Sequence, residues 1–307
     1  MISIVIAYYN IGWLIGRCLE SIAEQTYADY EVILIDNGST DQSKQAVDDI
    51  MTTTKIHNCH YHRIQHVSHN AAINYGLNWV KGDYIFLMDG HDFLNIEALN
   101  YFYWAAIQSH ADMIIGDFKD VHYTTRITNI TKSLGYHVVD TFTPDKLIWR
   151  MHIPVSHTDM RFNRLWNKLY KTDLFKDIQL SDDMGCEVSL ILQILFKCQT
   201  VGTIAVRDYF RVKMPQDHID MSVIKAYQER VDFIQAHQDD YKSNLLPNAQ
   251  CLVLNNMYEL CRSGINAELR EQYQKELINI YKEYRHTLPD NAYSKIIIRF
   301  CKNLLTK

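Results

Sequence analysis

The chain has 307 residues, 47% of them hydrophobic, enough for one large or two modest domains around a substantial core. Its 36 acidic against 31 basic residues give a formal charge of -5, which excludes a bulk electrostatic attraction to nucleic acid and makes any anion site local. Seven cysteines, scattered and without a C-x-x-C pair, fit reduced thiols in a cytosolic compartment rather than a disulfide framework or a zinc site.

Ile2 to Ala7 predicts a buried first strand. It lacks a charged leader region and is broken by Tyr8, Tyr9 and Asn10, so no signal peptide is expected, and no apolar run reaches the about 18 residues that span a bilayer. Ile11 to Gln25 carries Leu14, Cys18, Leu19 and Ile22 at helical spacing. A second strand, Glu31 to Ile35, ends in Asp36-Asn37-Gly38-Ser39-Thr40-Asp41, where Gly38 supplies a tight turn and Ser39 or Thr40 is expected to cap the next helix. A third strand near His60 to Val67 precedes an Ala-rich helix, Asn70 to Val80, stopped by Lys81-Gly82-Asp83. Then Tyr84 to Met88, a run without charge, leads into Asp89-Gly90-His91-Asp92. That is the pattern of a strand buried on both faces of a parallel sheet, bringing polar groups to its carboxyl end, the edge where open α/β sheets bind ligands.

Ile96 to Ser109 predicts a helix and Asp112 to Phe118 a further strand, so the alternation argues for a parallel, doubly wound α/β sheet. Lys119 to Val139, rich in Thr and Tyr without a period, reads as irregular or hairpin structure. Met184 to Lys197 predicts a helix, followed by strands at Thr200 to Ala205 and Arg207 to Val212. After Pro215 come four helical stretches, Val223 to His237, Leu245 to Arg262, Ala267 to Arg285 and Asn291 to Leu305. The expected domains are therefore 1–220 and a helical region, 221–307.

Asp89 and His91, two residues apart at a strand end, can share one divalent cation, and carboxylate plus imidazole suits Mn or Zn better than Mg. A surface turn with Asp92 capping the following helix fits the spacing equally. Asp36 and Asn37 could meet a base or ribose edge, or serve as turn formers. His57, His60, His62, His66 and His69 invite a metal reading, but strand alternation puts His60, His62 and His66 along one face as solvated residues. Glu187, at the start of an apolar helix, could act as a general base or simply favour the helix dipole. Arg211 and Lys213 could hold a diphosphate, or be charges on an edge strand.

Six segments occur in a familiar order: Ser3 to Asn10; Cys18 to Ile22 with Gln25-Thr26-Tyr27; Ile35 to Asp41; Ala71 to Gly76; Gly82 to Ile85 with Asp89 to Asp92; and Trp166-Asn167-Lys168-Leu169-Tyr170. Over roughly residues 1 to 220 the chain resembles the family 2 glycosyltransferases of the GT-A fold, especially bacterial enzymes of cell-surface polysaccharide synthesis. The resemblance implies a Rossmann-like, mostly parallel sheet flanked by helices. It implies a nucleotide-sugar donor, with uridine as the family's usual base, and a glycan or lipid-linked acceptor. Ala7, Tyr9, Asp36, Asn37 and Asn70 would line the nucleotide pocket, with Asp89 and Gly90 also binding the nucleotide sugar. Asp89 and His91 stand at the family's D-x-D motif and would hold Mn, with Mg the alternative. Arg211 and Lys213 match a basic strand near the leaving diphosphate, Trp166 and Asn167 the acceptor side, and Glu187 the base of an inverting displacement, with Asp183 next in line.

Three positions depart from the family pattern: His91 replaces an aspartate, Ile73 an arginine, and Cys186-Glu187 a Glu-Asp pair. They motivate an alternative, a nucleotide-sugar-binding pseudoenzyme or partner subunit. A nucleotidyltransferase is disfavoured, because Ala7-Tyr8-Tyr9-Asn10 is no Gly-rich phosphate loop. In the last helix Tyr293, Ile297, Phe300 and Leu304 form an apolar stripe and Lys295, Arg299 and Lys302 a basic one. This suits a helix packed on its own protein or a second subunit, or peripheral contact of a cytoplasmic enzyme with the membrane face.

Overall fold

The computed structural model describes the chain except residues 55, 57, 124–138, 152–158, 179–186, 214–220, 238, 240–244, 264–265 and 307; for 159, 160, 188, 189, 222 and 293 only the backbone is described. His57, Asp183 and Cys186 lie outside the described residues, as does most of the stretch expected to be irregular.

In chain order the elements are β1 (Ile2–Tyr8), α1 (Leu14–Ala23), β2 (Tyr30–Asp36), α2 (Ser43–Thr53), β3 (Cys59–Arg63), α3 (His69–Leu77), β4 (Tyr84–Asp89), β5 (Phe93–Leu94), α4 (Ala98–Ser109), β6 (Met113–Ile115), β7 (Phe118–His122) and β8 (Val139–Phe142). There follow α5 (Pro144–Met151), α6 (Asp159–Asn163), β9 (Lys168–Lys171), a 3-10 turn at Thr172–Phe175, α7 (Val188–Lys197), β10 (Val201–Ile204), β11 (Tyr209–Lys213), α8 (Met221–Ala236), α9 (Leu246–Arg262), α10 (Ala267–Tyr284) and α11 (Ala292–Leu305). The chain divides into two compact units. The first comprises Met1–Pro144, Arg164–Asp183 and Ile194–Asp217; the second comprises Asp145–Asn163, Met184–Gln193 and His218–Lys307.

Among the described residues the first unit has an eight-stranded sheet in the order β3-β2-β1-β4-β9-β6-β10-β8. β9 and β8 run antiparallel to their neighbours and the other pairings are parallel, so the sheet is mixed but mostly parallel. All seven residues of β1 are buried, Ser3 included, as expected of a central strand that is otherwise apolar. Ile15, Cys18, Leu19 and Ile22 of α1 pack into the same core as Ile4, Ile6, Leu34, Phe86 and Leu99. Each fully buried Leu or Ile contributes about 1.5–3 kcal/mol, so this core holds the strand ends in place. In α3, Gly76 lies where a Cβ would come within 2.7 Å of Val5 Cγ1, which is how close this helix lies on the sheet.

A second sheet, β5-β11-β7, pairs β11 antiparallel with β5 and parallel with β7. Its strand β7 corrects two expectations: the predicted strand Asp112 to Phe118 is broken after Ile115, and the stretch read as irregular or hairpin structure begins with a strand that pairs parallel with the distant β11. Its exposed Lys119 and Asp120 and single buried Val121 leave too little periodicity to read. This sheet is tied to the main one by Asp92, which is fully buried. Its Oδ2 accepts from the Tyr209 hydroxyl at 2.6 Å and its Oδ1 from Val212 N at 2.7 Å. The same hydroxyl lies 3.4 Å from Asp89 N, so β11 is linked to the carboxyl end of β4. Asp92 therefore does not cap the following helix. The cap expected of Ser39 or Thr40 is also absent; Asp41 receives Ser43 N and Gly12 N instead.

In the second unit α9 packs against α8, α10 and α11. Ile297 and Cys301 of α11 are buried, and Phe300 meets Tyr258 edge-on at 4.9 Å. Ile297 and Phe300 of the apolar stripe thus pack on their own unit, while Ile296 and Leu305 stay exposed beside Lys295, Arg299 and Lys302. Asn266 and Asn291 cap α10 and α11 through their side chains. No described helix is long and apolar enough to cross a membrane.

Two substitutions check these constraints. Gly76→Ala should gain up to about 1 kcal/mol of helix propensity but cost about 1–3 kcal/mol in overpacking, giving net destabilisation in urea unfolding. Tyr209→Phe leaves a buried carboxylate oxygen without its donor, and the same measurement should show a loss of about 1–3 kcal/mol.

Candidate active site

The register of the first sheet assembles the site. Ala7 pairs with both Ile35 and Asp89, and Tyr8 pairs with Asp36, so Asp36 and Asp89 end the two strands flanking β1. Both expected acidic positions therefore lie at the carboxyl edge of the sheet, on either side of a buried Ala7.

At the Asp89 end, His69 Nε2 lies 3.7 Å from Asp89 Oδ1 and His91 Nε2 lies 3.5 Å from Asp92 Oδ1. One ligand atom each from Asp89, His91 and Asp92 lies within 4.8 Å of the other two. Asp92 is enclosed by Tyr209 and Val212, and burial, then the charge of Asp89, raises its carboxyl well above the usual range. Its place is behind His91 rather than in contact with solvent. A carboxylate beside one ring nitrogen of a metal-binding histidine orients the imidazole and leaves the other nitrogen to ligate. The residues present thus fit a divalent cation held by Asp89 and His91. Gly90 admits no side chain, since a Cβ would sit 2.8 Å from Tyr8 Cβ. Arg17 reaches the carbonyl of His91 at 3.4 Å and lies 4.3 Å over the Phe93 ring.

At the Asp36 end, Asp36 is fully buried. It accepts from Ser39 N at 2.8 Å and from the Tyr61 hydroxyl at 2.9 Å. Burial and the Asp36 carboxylate push Tyr61 up to about 12. Asn37 spends both ends of its amide on Val67, at 2.9 Å to each of its backbone groups. Tyr9 is 41% exposed, and the His66 ring stacks on it. Asn70 is buried in the first turn of α3, after a Ser68 cap.

Arg211 and Lys213 both engage Asp120 of the neighbouring strand, at 2.7 and 3.1 Å. Burial pushes the Asp120 carboxyl up, but these hydrogen bonds outweigh it and hold it below its ordinary value. Trp166 is buried, stacked on Tyr209 at 5.1 Å and edge-on to Phe118 at 5.1 Å. Asn167, also buried, takes a left-handed backbone (φ 58) and donates to Asp117 O. Both spend their side chains inside the first unit. Glu187 is buried at the start of α7, in the second unit.

The expected solvated histidine face holds for His66, which is exposed, but His60 approaches the buried Glu31 at 3.5 Å and His62 packs 4.3 Å from the Trp79 ring. Neither of them nor His66 joins a metal-ligand group among the described residues. Asp120 and Tyr209 are the residues that sequence reasoning missed, while His69 was named only within a group of histidines and Asp92 only as a helix cap or part of the turn. The D-x-x-D spacing of Asp89 and Asp92 was a visible signal for the latter; the others depend on partners distant in sequence.

Residues 3–178 match the family described as Glycosyl transferase family 2. The glycosyltransferase GlyG of Streptococcus pneumoniae serotype 4 is 32% identical over 123 residues, 38% of this chain and 39% of that protein. The poly(ribitol-phosphate) beta-glucosyltransferase of Bacillus spizizenii is 22% identical over 311 residues, 95% of this chain and 46% of that protein. The chain thus spans less than half the length of these two curated relatives. Among solved structures, S. aureus TarS 1-349 in complex with UDP shares the fold with a TM-score of 0.68 at 17% identity, over 98% of this chain and 87% of that one. With more than half its length matched from the first strand through β9, and with that fold, the chain belongs to glycosyl transferase family 2.

Proposed function

We infer that this chain transfers a sugar, with inversion, from a nucleoside-diphosphate sugar to a hydroxyl of a glycan or lipid-linked acceptor. The observation that carries this reading is the placement of Asp36 and Asp89 on strands flanking β1, within a matched family 2 region. A uridine diphosphate sugar is the donor of choice, since the similar TarS 1-349 is known in complexes with UDP-GlcNAc and with UDP. The names of relatives that act on poly(ribitol phosphate) and teichoic acid favour a cell-surface polymer as the acceptor.

In this mechanism Glu187 takes the proton of the acceptor hydroxyl as its oxygen attacks the anomeric carbon, and the bond to the diphosphate breaks on the opposite face. Arg211 and Lys213 turn from Asp120 to the departing diphosphate and balance its charge. Asp89 and His91 would hold the divalent cation, Mn by ligand type, which supplies Lewis acidity towards the diphosphate. Residues 1–220 carry the donor chemistry. The helices of 221–307 serve the acceptor side or subunit contact, and the basic exposed face of α11 is the part suited to an anionic membrane surface.

A donor-hydrolysis screen across nucleotide sugars, with and without Mn, tests the reading. Nucleotide-sugar binding without turnover would instead favour a binding module, the reading motivated by His91, Ile73 and Cys186-Glu187. Glu187→Gln should lower transfer by about 10²–10⁴-fold with nucleotide affinity unchanged; normal turnover would move the base elsewhere. Asp89→Asn and His91→Ala should each weaken Mn-supported UDP binding in calorimetry and leave metal-free binding unaltered.

A further inference from the structure

The backbone after β3 is fastened to the turn after β2. Ile64 N donates to Asp36 O at 3.0 Å, Arg63 donates to Ser39 O at 2.8 Å, and the Asn37 amide pairs with both backbone groups of Val67. Gly38, at φ +78, lies where a Cβ would come within 2.9 Å of His66 N, so only glycine allows this approach without strain. The fastening sets the His66 imidazole on the Tyr9 ring, centroids 3.9 Å apart and planes 28° from parallel.

The same fastening fixes which proton the imidazole carries. Nδ1 lies 3.0 Å from the carbonyl oxygen of Asn37. A carbonyl only accepts, so Nδ1 bears the hydrogen and the neutral ring presents Nε2 as an acceptor. Among the described residues Nε2 has no hydrogen-bond partner, and His66 is exposed. Its neighbours at this corner are committed: Asp36 is fully buried between Ser39 N and the Tyr61 hydroxyl, and Asn37 is occupied at both ends by Val67.

We propose that His66 reads the nucleobase of the donor, with the Tyr9–His66 pair as the wall of the base pocket and Nε2 accepting a hydrogen bond from the base. An acceptor at this position selects an imino N–H next to a carbonyl, as in uracil, thymine or guanine. It gives no such advantage to cytosine, whose ring nitrogen at the corresponding position is itself an acceptor. The proposal rests on the nucleotide-sugar reading above.

Calorimetry with UDP and CDP in the presence of Mn, on the full chain, tests it. His66→Phe keeps a ring against Tyr9 and removes the acceptor; UDP affinity should fall about 2- to 10-fold and CDP affinity should stay, so the preference between them shrinks. His66→Gln, which can return an oxygen acceptor, should recover part of the preference, a readout that a purely structural role would not show. An unchanged UDP-to-CDP ratio in His66→Phe overturns the assignment to His66. Failure of the unaltered protein to bind any nucleoside diphosphate overturns the donor reading itself, a distinct result.

Discussion

The arrangement at the site depends on one buried carboxylate. Asp92 accepts from Tyr209 and from the backbone of Val212, residues 117 and 120 positions away. A carboxylate removed from water is tolerated when its oxygens are well supplied with donors, and a missing donor is correspondingly expensive. This makes the seating of the small sheet on the end of β4 specific rather than approximate. The stacked Trp166 and Tyr209 rings fill the space beside the same hydroxyl. Through β11, the side chains of Arg211 and Lys213 acquire a fixed relation to the turn that carries Asp89 and His91.

Much of the first unit was legible in its sequence. β1, β2 and β4 are mostly apolar, with Ser3 and Glu31 the buried polar exceptions before the terminal Asp36 and Asp89, because both faces of a central strand are covered, and burial of that kind leaves a strong local signature. The helices of residues 221–307 were equally plain, since α9, α10 and α11 carry long periodic patterns, and two of them begin at asparagine caps. The turns bearing Asp36 and Asp89 could be placed at the carboxyl edge from the strands alone.

What remained illegible depended on long-range partners. β7 and β5 are short and make their sheet only by pairing with β11, about 90 to 115 residues later by the register, so no local pattern announces them. Ser39 and Thr40 are good capping residues by type, yet Ser39 Oγ is taken by Asn10 N and Thr40 by the Asn10 side chain. Asn37 looks like a polar group available to a ligand until Val67, thirty residues on, is seen to occupy it. His69 stood out only as one of five histidines close in sequence, whereas it opens α3 and faces Asp89.

The pairing of Arg211 and Lys213 with Asp120 carries a consequence for any anion that meets this strand. The basic strand already has a resident counter-ion, fixed on the adjacent strand by register. An incoming anion must compete with that carboxylate, so part of the attraction is cancelled on arrival. When the anion leaves, the same carboxylate is at hand to neutralise the two cations. Such an exchange flattens the electrostatic well, and under the proposed reaction it would trade tight retention of the spent nucleotide for ready release.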